Sequence, residues 1–217
     1  MKKKLQGVVA FATLVLVSVT ATNTYAQKEV EKGTVAIDAY YGFPNLLTTA
    51  VKAIYSQETE YETYKVSGFG PAGIRGEYFI TDHIAFGADI NYSNTNVEWT
   101  ENRDEYIGGG LYITHTYNYK VSVPRLRALG KFNFHFGASE HFDWYAGAGL
   151  GYNHTAVTFT SNDPNYVNED LKNALVIPVT GRIDFGGKFY FTDNIGLGFE
   201  VGLGGGPLAS LGICAKF

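Results

Sequence analysis

With one cysteine, Cys214, in 217 residues, the chain can form neither an intramolecular disulfide nor a Cys-x-x-Cys metal or redox pair. Proline is sparse, at six residues, and there is a single methionine. A basic excess is missing too: the net charge is −4 at pH 7, which excludes the electrostatic footprint of a nucleic-acid binder. No apolar run reaches the roughly 20 residues that a membrane-spanning helix needs. Glycine, at 26 residues, and aromatics, at 15% of the chain, are plentiful and suit strands and turns better than helices.

The first residues have the pattern of a secretory signal. Lys2-Lys3-Lys4 is a positive segment, Val8 to Val19 is apolar, and Thr24-Tyr25-Ala26 is a small-x-small cleavage site. An anchoring helix is the alternative, but the apolar run is short and no stop-transfer cluster follows it. Residues 1–26 are therefore expected to be removed, leaving one domain over residues 27–217. Cleavage would take away three of the 17 Lys+Arg and none of the 21 Asp+Glu, moving the net charge from −4 to −7.

Beyond residue 26, apolar and polar residues alternate with period two, and eight strands can be counted. Two near repeats, Tyr78-Phe79-Ile80-Thr81-Asp82-His83-Ile84 and Tyr190-Phe191-Thr192-Asp193-Asn194-Ile195, join such runs through tight Thr-Asp turns. A third short turn is expected near Gly137 to Glu140. Longer segments are expected at Pro44 to Lys65, which has a weak helical look over Leu46 to Tyr55, at about Thr100 to Thr116, and at Thr160 to Ala174. A fourth, short connection lies near Gly204-Gly205-Gly206-Pro207. The expected architecture is an all-β, eight-stranded, antiparallel up-and-down transmembrane barrel with short turns on one rim and longer loops on the other. Tyr112 to Tyr119 still alternates, so strands three and four could project further and offer an edge to partners.

A secreted soluble barrel would alternate as well, so the character of the polar face decides. That face interleaves glycines such as Gly147, Gly149, Gly151, Gly186 and Gly202 with ionisable groups. Glycine weakens an open strand surface but makes room inside a narrow barrel. The apolar face is then expected to meet lipid, since unpaired backbone cannot. An arginine at Phe185 should be costly there, and Gly186→Ser milder. Tyr41, Phe43, Tyr78, Phe134, Phe136, Phe142, Trp144, Phe189, Phe191 and Phe217, with Phe79 and Tyr190, fall near strand ends as an aromatic girdle would.

The expected lumen groups are Asp38, Arg75, Glu77, Asp89, Arg125, Arg127, Lys131, Asp143, Arg182, Asp184, Lys188, Glu200 and Lys216. Seven are basic and six acidic. An eight-stranded barrel has an interior just wide enough for side chains, and unpaired buried charge is costly, so these groups should pair into a structural plug. The centre is expected at Arg75, Glu77, Arg125, Arg127, Arg182 and Asp184. A narrow conducting path is the alternative.

No catalytic, cofactor or metal motif emerges. The five histidines, His83, His115, His135, His141 and His154, are scattered and read as polar strand-end residues. Gly108-Gly109-Gly110 and Gly204-Gly205-Gly206 lack the Lys-Ser/Thr of a phosphate loop. The loops around Glu58 to Tyr64, Glu98 to Tyr106 and Asp163 to Asp170 are acidic and aromatic. They could meet an extracellular ligand, or lipopolysaccharide through divalent cations, or remain solvated like-charged loops.

The signal segment, the alternating strands, the Thr-Asp turns and the terminal run Leu211-Gly212-Ile213-Cys214-Ala215-Lys216-Phe217 resemble the small outer-membrane β-barrel proteins of Gram-negative bacteria (OmpA/OmpX-like, "porin family"). The resemblance covers the whole of residues 27–217. It implies an integral outer-membrane barrel and says little of activity; with no catalytic motif in the chain, the expected protein is a monomer with a structural or surface-interaction role, no enzymatic activity and no cofactor. It also implies surroundings of outer-membrane lipid and lipopolysaccharide. Leu211, Ile213, Ala215 and Phe217 would be the signal read by the barrel assembly machinery. Lipid A-modifying enzymes of the same shape are the remote alternative.

Overall fold

The computed structural model describes residues 30–55, 63–136, 141–166, 170–172 and 178–217. The expected signal segment 1–26, the turn at 137–140, and parts of the loops at 58–62 and 167–169 lie outside the described residues. The elements are β1 (Val35–Phe43), α1 (Leu46–Tyr55), β2 (Thr63–Phe79), β3 (Ile84–Gly108), β4 (Leu111–Phe136), β5 (Phe142–Ser161), β6 (Asp170–Lys172), β7 (Val179–Tyr190), β8 (Ile195–Gly204) and β9 (Ala209–Lys216).

All neighbouring strands pair antiparallel, and the ring closes because β1 pairs both β2 and β9 while β4 pairs β5. Closure leaves the eight long strands without an open sheet edge at barrel height. The short β6 is an addition that pairs only with the upper part of β5. At the seam, Val35 and Phe217 exchange both backbone hydrogen bonds, at 3.0 and 2.9 Å.

The Thr-Asp turns share one mechanism. The Thr81 hydroxyl accepts from Ile84 N–H at 3.0 Å, and the Thr192 hydroxyl accepts from Ile195 N–H at 2.9 Å. A short hydroxyl thus replaces a backbone acceptor at the tightest point of each turn.

Strand length departs from expectation. The segment around Thr100 to Thr116 is not a loop: β3 and β4 stay paired from Ile84↔Phe134 up to Tyr106↔Tyr112, turning through Gly108, Gly109 and Gly110. Those three glycines have φ of +97°, +64° and +80°, the region that side chains avoid. β2 begins at Thr63 and β5 runs to Ser161, so β2 to β5 rise together above the ring. A register shift between Phe69 and Ala72 accommodates Pro71, which cannot donate to a ladder.

Alternation sets two faces. In β1 every second residue from Val35 to Phe43 is exposed and the residues between are buried. The buried groups are mostly polar or charged, and the exposed ones apolar: Leu150, Leu203 and Ile183 are 72%, 71% and 73% exposed. The apolar interior is a small cluster at the short-turn end, made of Val30, Ala36, Phe79 and Ala85. Phe79 and Tyr190, expected among the girdle aromatics, point inward and are fully buried. Their positions share the parity of Glu77 and Lys188, which is inward.

Candidate functional site

The barrel interior is an ion-pair network carried by alternate residues of all eight long strands. Asp38, Arg75, Glu77, Asp89, Lys131, Asp143, Arg182, Asp184, Lys188, Glu200 and Lys216 are all buried there. Its centre is Glu200 on β8. That carboxylate accepts from Arg75 Nη1 at 2.6 Å, Lys131 Nζ at 2.8 Å, Arg182 Nη2 at 2.7 Å and the Tyr145 hydroxyl at 2.9 Å. Lys131 also donates to Asp184 at 2.9 Å, and Arg75 Nε lies 3.5 Å from Asp89. Arg75, Lys131, Arg182, Asp89, Asp184 and Glu200 therefore each meet an opposite charge, which offsets their desolvation.

A lower tier continues towards the short turns. Lys188 meets Glu77 and lies 3.4 Å from Asp38. Glu77 accepts from Asn133 at 2.7 Å, and His135 Nδ1 sits 2.8 Å from Asp143. The Lys216 ammonium lies 4.1 Å from the Tyr190 ring centroid, a cation–π contact.

Glycine makes this density possible. A Cβ on Gly186 would run into the Tyr145 ring, and one on Gly147 into Asn133 and Asp184. At Gly202 it would lie 2.7 Å from the Arg182 guanidinium. The inward glycines are space reserved for long charged and aromatic partners on adjacent strands.

Arg125 and Arg127, expected at the centre, lie at the upper margin of the network. Among the described residues neither has a carboxylate partner; Arg127 donates to Asn91 at 3.3 Å, and Arg125 Nη2 is buried without a partner. They lie nearer the projecting end than Leu129, and Arg127 is linked to Asp89 only through Asn91, which donates to that carboxylate at 3.2 Å.

Groups outside the expected set of charges complete the network. Tyr145, His135, Tyr40, Asn133 and Asn91 all face inward; Tyr40 donates to Asp89 at 2.6 Å and Arg75 stacks over its ring at 4.3 Å. The signal was present in the parity of each strand, since His135 and Asn133 share that of Lys131. His135 is wholly buried, not the ordinary strand-end residue it was expected to be.

The outer face carries aromatics at both ends. Near the short turns, Tyr78, Phe134, Phe136, Phe142, Phe189, Phe191 and Phe217 are exposed, with Trp144 half-buried among them. Phe142 and Phe189 pack at 4.9 Å, and Trp144 stacks on Phe142 at 5.9 Å. At the other end exposed Tyr41 and Phe43 are joined by Phe69 and Tyr92, with Tyr41 and Phe69 edge-on at 5.9 Å. Along β9, Leu211 and Ile213 share the outward face with Phe217, while Ala215 is half-buried.

Above the ring, the projecting sheet is not a field of like charges. Glu98 pairs with Lys120 at 2.9 Å, Glu101 with Arg103 at 2.9 Å, and Glu105 with His115 at 3.0 Å. Arg103 also donates to Asp163 at 2.7 Å, joining segments 60 residues apart, and Tyr119 donates to the same oxygen at 2.9 Å. The Asn165 N–H, the Tyr119 hydroxyl and Arg103 together hold the Asp163 carboxyl below the usual carboxylate range. Burial, followed by that bond to Asp163, pushes the Tyr119 phenol up to about 12. Beside this cluster Trp99 stacks on Tyr119 at 5.3 Å, and Phe159 packs on Tyr166 at 5.1 Å.

No family model matches the chain, and no curated protein is significantly similar to it. Among solved structures, the N-terminal β-barrel domain of OprF from Pseudomonas aeruginosa is 18% identical, with 86% of this chain and 99% of that chain covered and a TM-score of 0.37. The outer membrane protein OprG from Pseudomonas aeruginosa is 13% identical over 86% and 97%, with a TM-score of 0.41. Ail, the attachment invasion locus protein of Yersinia pestis, is 11% identical over 86% and 99%, with a TM-score of 0.39.

Proposed function

We propose that this chain is an integral outer-membrane β-barrel of the OmpA/OmpX-like kind, whose interior is a structural plug and whose projecting β2–β5 sheet is its working surface. One observation carries the reading: the barrel is inside-out. Its buried positions hold paired charges, while the positions between them expose Ile, Leu, Val and Phe between two aromatic bands. Such a surface is stable in hydrocarbon and would aggregate in water. A closed ring also leaves no backbone group of the barrel wall unpaired towards lipid.

On this reading the barrel is a monomer that enters the membrane through the barrel assembly machinery, with Leu211, Ile213, Ala215 and Phe217 as the recognised run. Lipid and lipopolysaccharide surround it. The network crosses the lumen from β2 to β8, so ions find salt bridges in place of a water column. Catalysis is not part of the reading: among the described residues His135 meets Asp143 and Glu77, His115 meets Glu105, and neither contact includes a nucleophile.

The test is conductance of the refolded protein across a planar bilayer, with heat-modifiable gel mobility to verify the folded barrel. A folded but silent barrel is expected. Discrete openings altered by Arg182→Gln would replace the plug with a pore.

A further inference from the structure

Among the described residues, Arg75, Lys131, Arg182 and Lys188 each face a carboxylate, whereas Arg125 and Arg127 have none within hydrogen-bond reach. Arg125 and Arg127 occupy successive inward positions of β4, and Leu129, only 2% exposed, separates them from Lys131 and the network below. Their lateral neighbours are neutral hydrogen-bonding groups: Ser93 and Thr155 flank Arg125, and Asn91 and Asn153 flank Arg127. Ser93 is 3% exposed. Arg125 Nη2 and the side-chain oxygen of Asn153 are both buried without partners. Two half-buried guanidinium groups with no carboxylate in hydrogen-bond reach among the described residues are expensive, and the rest of this interior shows how the chain neutralises such groups when it supplies the acid itself.

We propose that Arg125 and Arg127 form a binding site for an oxyanion, a phosphate or a phosphate-bearing small molecule, that enters from the projecting end of the barrel. Planar guanidinium forks suit tetrahedral oxyanions, and the Ser93 and Thr155 hydroxyls can add donors. Leu129 and the ion pairs beneath it give the site a floor, so the anion is held and not passed through. The site goes beyond the plug-and-surface reading, and is independent of it.

The experiment is isothermal titration calorimetry of inorganic phosphate, and separately of a sugar phosphate, into the refolded full barrel in non-ionic detergent at constant ionic strength in chloride. Saturable binding near one per barrel is expected, weakened at least tenfold in Arg125→Gln/Arg127→Gln. Lys65→Gln/Lys120→Gln, which removes the same charge from the outer face of the projecting sheet, should leave it intact. Binding of inorganic phosphate alone would assign a free anion, and binding of both would assign a terminal phosphate group. No saturable heat with either probe, or equal weakening by the lysine pair, overturns the site. Heat-modifiable mobility checks that each variant is folded, and Arg125→Lys, which keeps the charge but loses the fork, should bind more weakly than the parent.

Discussion

Arg75 on β2 reaches across the barrel to Glu200 on β8, and its Nη1 lies 2.6 Å from the carboxylate. The two are 125 residues apart, and the same carboxylate serves Lys131 and Arg182. A single acid therefore bonds three cations drawn from three other strands, and Asp184 and Asp89 supply further negative charge.

Glu200→Gln keeps the shape and removes the charge at that centre. Leaving buried cations uncompensated should cost about 3–5 kcal/mol in reversible urea unfolding from lipid vesicles. A loss under about 1 kcal/mol would mean that water or Asp184 takes over the role, and the network would not be the stabilising core.

The Tyr145 ring occupies the volume that a side chain at Gly186 would need. Gly186→Ala should therefore cost about 1–3 kcal/mol through overpacking, and less in a Tyr145→Leu background. Equal costs in both backgrounds would show that the ring moves away freely. The same crowding applies to Gly186→Ser, so it is a poor inward control.

Gly198 is the better inward control for membrane orientation, because a Cβ there meets only Cys214 Cβ, at 4.0 Å. Phe185→Arg, on the outward face, should cost about 2–4 kcal/mol in lipid, and Gly198→Ser clearly less. Matching losses would mean that the outward face does not meet hydrocarbon.

Cys214 is completely buried on the inward face of β9. A maleimide should leave it untouched in the folded barrel and label it fully after unfolding in denaturant. Rapid labelling of the heat-modifiable form would mean that β9 opens readily from the seam.

The Arg103–Asp163–Tyr119 contact should depend on pH in one direction. Asp163 has its carboxyl depressed by the Asn165 N–H and its other donors, so the contact is fully present above the ordinary carboxylate range. It should be lost only as pH falls through the lower, folded value. Trp99 fluorescence, sensitive to the stacked Tyr119, should stay flat from pH 7 to about 5 and change at more acid pH. Asp163→Asn should give the acid-form spectrum already at neutral pH. A transition near neutral pH would mean that Asp163 does not carry the change.

The sequence was most informative where period-two alternation operates. Parity placed Asp38, Arg75, Glu77, Asp89 and Lys131 on one side and Ile37, Ile74, Ile90 and Phe132 on the other, because successive strand side chains must point to opposite faces. It was less informative where two patterns overlap. The polar alternation of residues 100–116 suits a loop and a solvated hairpin alike, and only cross-strand pairing such as Glu98 with Lys120 separates them.

By itself, then, the sequence determined strands with one polar and one apolar face joined by tight Thr-Asp turns, because those features are local: alternation and a hydroxyl at a turn. Tertiary structure decided which charges meet. Glu200 finds Arg75 because strand tilt and ring closure set their heights, and those are properties of eight strands together. The same heights leave Arg125 and Arg127 above every lumen acid. No reading of β4 alone distinguishes them from Lys131, which lies beyond them on the same face.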